Sequence, residues 1–196
     1  MNPFPEAQRR AAVVVGTSYL LGMTSFIFLS ILRLGTAAEL AIIATGIARS
    51  FALYGILAPV DRRLASIATV VSLAADLFIA SIGAQSLGDW RSHPTAYRAG
   101  LVFAGAGSMV FAWLWMKSSY IPRGLAFLGL IASALVALGN LELAMLPVLR
   151  PLFGPWFMAP MFFFEVWMGL WLLSQTSERR HAEPSHGDAM ISTVAR

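Results

Sequence analysis

The chain has no cysteine, which excludes disulfides and thiolate-bound metals. Charge is scarce as well. Asp, Glu, Lys and Arg make up 12% of the 196 residues, against roughly 25% in a typical soluble domain. A soluble fold of this length could not cover its core with so little charge. Lysine is nearly missing: thirteen of the fourteen basic residues are Arg, and Lys117 is the sole Lys. The three His offer no metal-ligand spacing. His93 stands alone in a loop, and His181 and His186 lie in a polar tail. No HExxH, GxSxG or Walker pattern occurs, which argues against the common hydrolase and nucleotide-binding classes. Gly105-Ala-Gly107-Ser108 superficially resembles a phosphate loop. It has no strand before it and lies inside an apolar run, so it reads as helix packing. Nothing here calls for a metal or an organic cofactor.

What the chain does have is apolar length. Apolar residues make up 58% of the sequence, and the mean hydropathy is +0.70. The net charge of +4 does not indicate nucleic acid, because the basic residues sit at segment ends and not along one stripe. Six apolar spans emerge: Ala11–Leu32, Leu40–Val60, Leu64–Leu87, Ala99–Met116, Leu125–Leu146 and Trp156–Leu173. The first is a 22-residue uncharged run, about 33 Å as a helix and so long enough to cross a hydrocarbon layer of ~30 Å. That length favours a retained helix over a signal peptide, although Gly35 and Ala37 are small enough to suit cleavage. In lipid the backbone must satisfy its own hydrogen bonds, and the runs are continuous and not alternating, so helices are expected and a barrel is not. The expected fold is an all-α bundle of six transmembrane helices in one domain, residues 1–175. A polar tail, residues 176–196, follows it.

An even number of spans puts both termini on one side. That side carries nine Lys and Arg (residues 9, 10, 62, 63, 117, 123, 179, 180 and 196); the other carries four (33, 91, 98 and 150). The excess points to both termini in the cytoplasm. Trp113, Trp115, Tyr120 and Trp171 near the inner boundary fit this, as do Trp90, Tyr97 and Trp156 near the outer one. The bilayer is the expected partner. Assembly as a homo-oligomer or within a larger membrane complex is left open.

Three ionisable residues break the apolar runs: Arg49, Asp76 and Glu165. Each costs roughly 2.5–3.5 kcal/mol at mid-membrane depth by insertion scales. Counted from the outer ends of their spans they lie nine, eleven and nine residues in. That spread is about 3 Å of helix rise, so the three can share one layer. Ala68, Ser72, Asp76, Ala80 and Ala84 recur every four residues, as do Ala41, Thr45 and Arg49, and Glu165 and Gly169. Such small, polar stripes let helices approach and bond across the contact.

Two roles follow for the trio. Arg49 pairing with one carboxylate would fix helix register. Alternatively, one Arg cannot neutralise two carboxylates, and the surplus one suits proton coupling or a cationic or polar ligand. The first role fits a structural or regulatory subunit. The second fits a transporter-like or ligand-binding protein, with Ser72 and Thr45 as further candidates. Asn140 and Glu142, near the outer end of the fifth span, could line an outer vestibule or reach boundary water.

Several stretches resemble a bacterial membrane family known as domain of unknown function 4386. Leu57-Ala-Pro-Val-Asp-Arg-Arg-Leu64 is similar to its "LxPVxxxL" turn. Lys117-Ser-Ser-Tyr-Ile-Pro-Arg-Gly-Leu-Ala-Phe-Leu-Gly129 is similar to its "SxxxPxxLxxxG" entry into the fifth helix. Phe164-Glu-Val-Trp-Met-Gly169-Leu-Trp-Leu-Leu173 looks like its closing "FEhxhGhWLL" pattern, with h apolar. Gly16-Thr-Ser-Tyr19-Leu is compatible with its opening. The resemblance runs over roughly residues 11–175. It implies a six-helix protein of a bacterial cytoplasmic (inner) membrane, puts Glu165 inside a family motif and implies no activity, ligand or catalytic residue. At the third helix the sequence departs. Family members often carry an Arg shortly before an acidic residue there, whereas Ser72-Leu-Ala-Ala-Asp76 has none, and Arg49 would supply that charge from the second helix.

Overall fold

A computed structural model describes residues 4–27, 35–85, 94–146 and 156–177. Of the outer loop expected over Gly88–Arg98, residues 88–93 lie outside these residues and Pro94–Arg98 is helical; the prolines at 147, 151 and 155 and the tail from 178 onward also lie outside them. Six α-helices and no strands occur among the described residues. They are α1 (Glu6–Ile27), α2 (Gly35–Leu57), α3 (Arg62–Gln85), α4 (Pro94–Lys117), α5 (Arg123–Met145) and α6 (Ala159–Ser177), the last entered through a 3-10 turn, Trp156–Met158.

The helices outrun the apolar spans at most ends, because local signals and not hydropathy decide where a helix stops. Pro59 lies in the turn that closes α2. Asp61 Oδ1 then accepts from Leu64 N at 3.1 Å and caps α3, a contact typically worth ~1 kcal/mol. Pro94 opens α4, where its missing N–H would have had no helical partner anyway. Pro122 precedes α5 at the N-cap.

Five of the helices are long and apolar enough to cross a membrane, in the windows Leu40–Leu57, Arg62–Ile82, Thr95–Lys117, Arg123–Leu143 and Trp156–Gln175. α1, which carries the start of the expected first span, Ala11–Leu32, is not among these five, and that span continues past the described residues. α1 starts at Glu6 and includes Gln8, Arg9 and Arg10, so its described length is less apolar. The last part of that expected span lies beyond Ile27, outside the described residues.

The helices close into a ring. Each packs on its sequence neighbours, and α6 packs back on α1. All neighbours run antiparallel. α1 and α6 meet with Gly16 against Leu173 and Gly169 against Leu20, α3 and α4 with Ile79 against Gly100 and Ser72 against Gly107, and α5 and α6 with Gly129 against Phe164 and Gly139 against Phe157. At the α1–α6 seam the backbones abut. A methyl at Gly16 would lie 3.1 Å from Gly169 O, and one at Gly169 would lie 3.1 Å from Gly16 O.

One end of the ring is tied together by polar and aromatic contacts. Phe4 stacks on Tyr120 at 5.1 Å, and Tyr120 meets Trp115 edge-on at 6.4 Å. Lys117 Nζ lies 3.9 Å from Asp61 Oδ2. The start of α1, the α2–α3 turn and the α4–α5 turn therefore share this end, and α6 runs toward it. The core is densest there: Ala12, Ile56, Leu57, Leu114, Met168 and Leu172 are fully buried.

Candidate functional site

Near the middle of the ring lies a cavity of about 20 Å³, enough for one water, which needs roughly 10–15 Å³. Its wall comes from five helices. α1 gives Tyr19; α2 gives Arg49, Ser50 and Leu53; α3 gives Ser72 and Asp76. Ser108, Phe111 and Trp115 come from one stripe of α4, and Met161, Phe164 and Glu165 from α6. Arg49, Asp76 and Glu165 all line this one space.

They do not form a symmetric triad. Arg49 Nη1 donates to Glu165 Oε1 at 3.0 Å. The two side chains keep 26% and 14% of their accessible surface. α2 and α6 are not neighbours in the ring, so this bond reaches across the interior. The Arg49 guanidinium also sits 5.0 Å from the centroid of the Tyr19 ring. A cation over an aromatic face gains about 0.5–2 kcal/mol, more when water is excluded. Tyr19 is held in turn by an edge-on contact with Phe164 at 5.9 Å. Arg49 is thus fixed by α1 from one side and by α6 from another.

Asp76 is the odd member. No cation lies within 4.0 Å of it and no hydrogen bond reaches it among the described residues. Its position is set by Gly46 of α2, whose bare backbone faces the carboxylate. A methyl there would lie 2.8 Å from Oδ1 and 2.9 Å from Oδ2. One turn earlier, Ser72 presses on Gly107 of α4 in the same manner. Two glycines therefore let α3 push its polar stripe toward neighbouring backbones. The pair of Arg49 and Glu165 is formally neutral, and Asp76 adds one negative charge to the same cavity.

A second group on the wall lacks a partner. Trp115 is 1% exposed, and its indole N–H makes no hydrogen bond among the described residues. A buried donor left unsatisfied costs about 1–3 kcal/mol. The residues lining the cavity thus include, among the described residues, an acceptor without a hydrogen bond at Asp76 and a buried donor without one at Trp115, together with Ser50, Ser72 and Ser108.

The other sequence candidates lie elsewhere. Thr45 faces Gly22 of α1, and its hydroxyl donates to its own helix at Ala41 O and Ile42 O. Asn140 is buried, donates to Val136 O and accepts from Arg98 Nη1 at 3.4 Å, bridging α4 and α5 away from the cavity. Glu142 is half-buried on α5, which adds nothing to the wall. No group of three or more His, Cys, Asp or Glu suited to a metal occurs among the described residues. Sequence reasoning passed over Tyr19, Ser50, Ser108 and Trp115. Ser108 stands in the Gly105–Ser108 stretch read as packing; Gly105 does pack on Ala137, while Ser108 lines the cavity.

The family model for domain of unknown function 4386 matches residues 81–175. The match takes in the motifs at 117–129 and 164–173, and Glu165 with them. It is shorter than the resemblance read from sequence: residues 16–20, the turn at 57–64, Arg49 and Asp76 fall outside it. No curated protein and no solved structure matches the chain.

Proposed function

We propose that this chain, which through residues 81–175 belongs to the family known as domain of unknown function 4386, binds a small cationic or polar ligand at the centre of its helix ring. On this reading it is a transporter-like or ligand-binding membrane protein. The observation that carries the reading is Asp76, a carboxylate that among the described residues has no ion pair within 4.0 Å and no hydrogen bond, in a cavity where Arg49 is bonded to Glu165. An unrelieved charge at this depth costs several kcal/mol (~2.5–3.5 by insertion scales). A proton, a monovalent cation or a hydrogen-bond donor removes that cost. The Trp115 N–H supports an occupant that also accepts a hydrogen bond, such as a water accompanying the cation. In the arrangement described, the volume of about 20 Å³ suits a water-sized occupant, and anything larger requires the helices to part. The same reading puts both termini on the cytoplasmic side, supported by the nine-to-four Lys and Arg count, and takes the bacterial cytoplasmic membrane from the family resemblance.

The test is ligand-dependent melting of the purified protein in detergent. Sodium, potassium and methylammonium chloride are titrated, with N-methylglucamine chloride as the ionic-strength control, at several pH values. A ligand at 100 times its Kd stabilises the native state by about 2.7 kcal/mol, so a bound species raises the melting temperature by several degrees. Asp76→Asn is expected to fold and to lose that rise. If no cation and no pH change distinguishes wild type from Asp76→Asn, the ligand-site reading fails and the trio serves packing. Flux into liposomes then separates transport from binding.

A further inference from the structure

The inner stripes of three helices change character at the level of the cavity. Toward the end that bears the termini they are closed: Ala12 and Val15 of α1, Ile56 and Leu57 of α2, and Met168 and Leu172 of α6 are all 0% exposed. Beyond Tyr19, Gly46 and Phe164 the same helices hold nothing buried among the residues whose burial is described. No residue of 20–26, 40–45 or 156–163 falls in the buried class. Lipid-facing residues are exposed all along a membrane helix, so exposure alone would say little. The informative residues continue the inner stripes. Met23, Ile42 and Met158, each on the face that is sealed at the other end, are partly exposed, and Phe26 reaches 37%. α3, α4 and α5 keep buried contacts in this half at Ile82, Gly100, Asn140 and Leu143. The looseness is therefore confined to the α1–α2–α6 side. The Arg49–Glu165 bond joins α2 to α6 at the level where the packing changes.

From this asymmetry we infer that the central cavity is reached from the membrane face opposite the termini, between α1, α2 and α6, and is sealed toward the face that bears them. In the orientation proposed above, the ring is open to the outside and closed to the cytoplasm. The inference rests on reading the cavity as a ligand site. Access is measured without any ligand, so the two can fail separately.

The absence of native cysteine makes every introduced thiol the only one in the chain. Met161→Cys places it on the cavity wall on the loose side, with Ala104→Cys as the substitute should that variant not fold. Leu53→Cys places it on the wall on the sealed side, where Leu53 is buried. Phe163→Cys is the lipid-facing control. Each variant is treated in sealed vesicles of known orientation with a membrane-impermeant cationic methanethiosulfonate, applied to one face at a time. Only a hydrated thiol forms the reactive thiolate, so Met161→Cys should react about tenfold faster than Phe163→Cys, and only from the face opposite the termini. Leu53→Cys should resist the reagent from the face bearing the termini. Labelling of Leu53→Cys from that face would overturn the inference. So would labelling of Met161→Cys from that face, equal rates at Met161→Cys and Phe163→Cys, or no labelling of either wall position. A site that labels as expected, in a protein whose melting ignores every cation, would leave the access route standing and sink the ligand reading.

Discussion

Arg49 is the residue on which the interior depends. It touches Tyr19 and Glu165 and shares a cavity with Asp76. Removing it leaves two carboxylates with no cation in a largely apolar interior. Removing Asp76 instead leaves a neutral pair. Breaking a buried pair by deleting one partner typically costs about 3–5 kcal/mol, because the other charge stays behind. Arg49→Gln should approach that cost, Glu165→Gln should fall below it because Asp76 remains as a second counter-charge, and Asp76→Asn should be near neutral. Thermal or denaturant melting in detergent checks the order. An Asp76→Asn protein as damaged as Arg49→Gln would show that Asp76 is needed for packing. The depth of the three charges was legible in the sequence, because helix rise is regular and spans can be counted. Their pairing was not. Which carboxylate Arg49 takes depends on which helices face each other across the ring, and on glycines such as Gly46 whose partner lies on another helix.

At the scale of the element, small residues set the distances between helices. The α1–α6 seam rests on Gly16 and Gly169, where a side chain at 169 would meet Leu20 Cγ at 2.9 Å and Gly16 O at 3.1 Å. Without a hydrophobic drive between helices in lipid, such close packing supplies much of the association energy. Gly169→Leu is expected to cost about 1–3 kcal/mol by overpacking and to lower the melting temperature. Gly124 has nothing within 4 Å of an added methyl, and Gly124→Ala should be neutral or gain up to ~1 kcal/mol of helix propensity. Equal effects at the two sites would refute the seam. The stripe at Ser72 and Asp76 was visible as a period of four, and α3 does carry it toward α2 and α4. The stripe at Thr45 divides, since Thr45 faces α1 while Arg49 reaches inward. A period of four drifts around a helix of 3.6 residues per turn, so two members one turn apart can face different neighbours. The first span was placed at the right helix with a different start. Hydropathy counted from Ala11, whereas the helix begins at Glu6 and takes Arg9 and Arg10 with it.

On the scale of the whole molecule, the all-helical class and the order of the elements follow from composition and length alone. Closure into a ring does not. It depends on α6 returning to α1, a contact between residues far apart in sequence. The antiparallel order brings the basic residues at 9, 10, 62, 63, 117 and 123 to the end where Phe4 meets Tyr120. That grouping sharpens the topology expectation. A fluorescent reporter fused after Ser177 should be active, and alkaline phosphatase fused after Leu146 should be active on the opposite face. Reversed activities would invert both the orientation and the side from which the cavity is reached.

The cross-ring bond also has a history in time. Glu165 follows Arg49 by 116 residues, and three helices are made between the helix that carries one and the helix that carries the other. As the chain leaves the ribosome, α2 enters the bilayer with its Arg before its final counter-charge has been synthesised. α3 comes next and brings Asp76 to the same depth. Through the synthesis of α4 and α5, Asp76 is the only carboxylate at that level. The arrival of α6 brings Glu165 to Arg49, so of the two carboxylates it is the one made last that takes the ion pair.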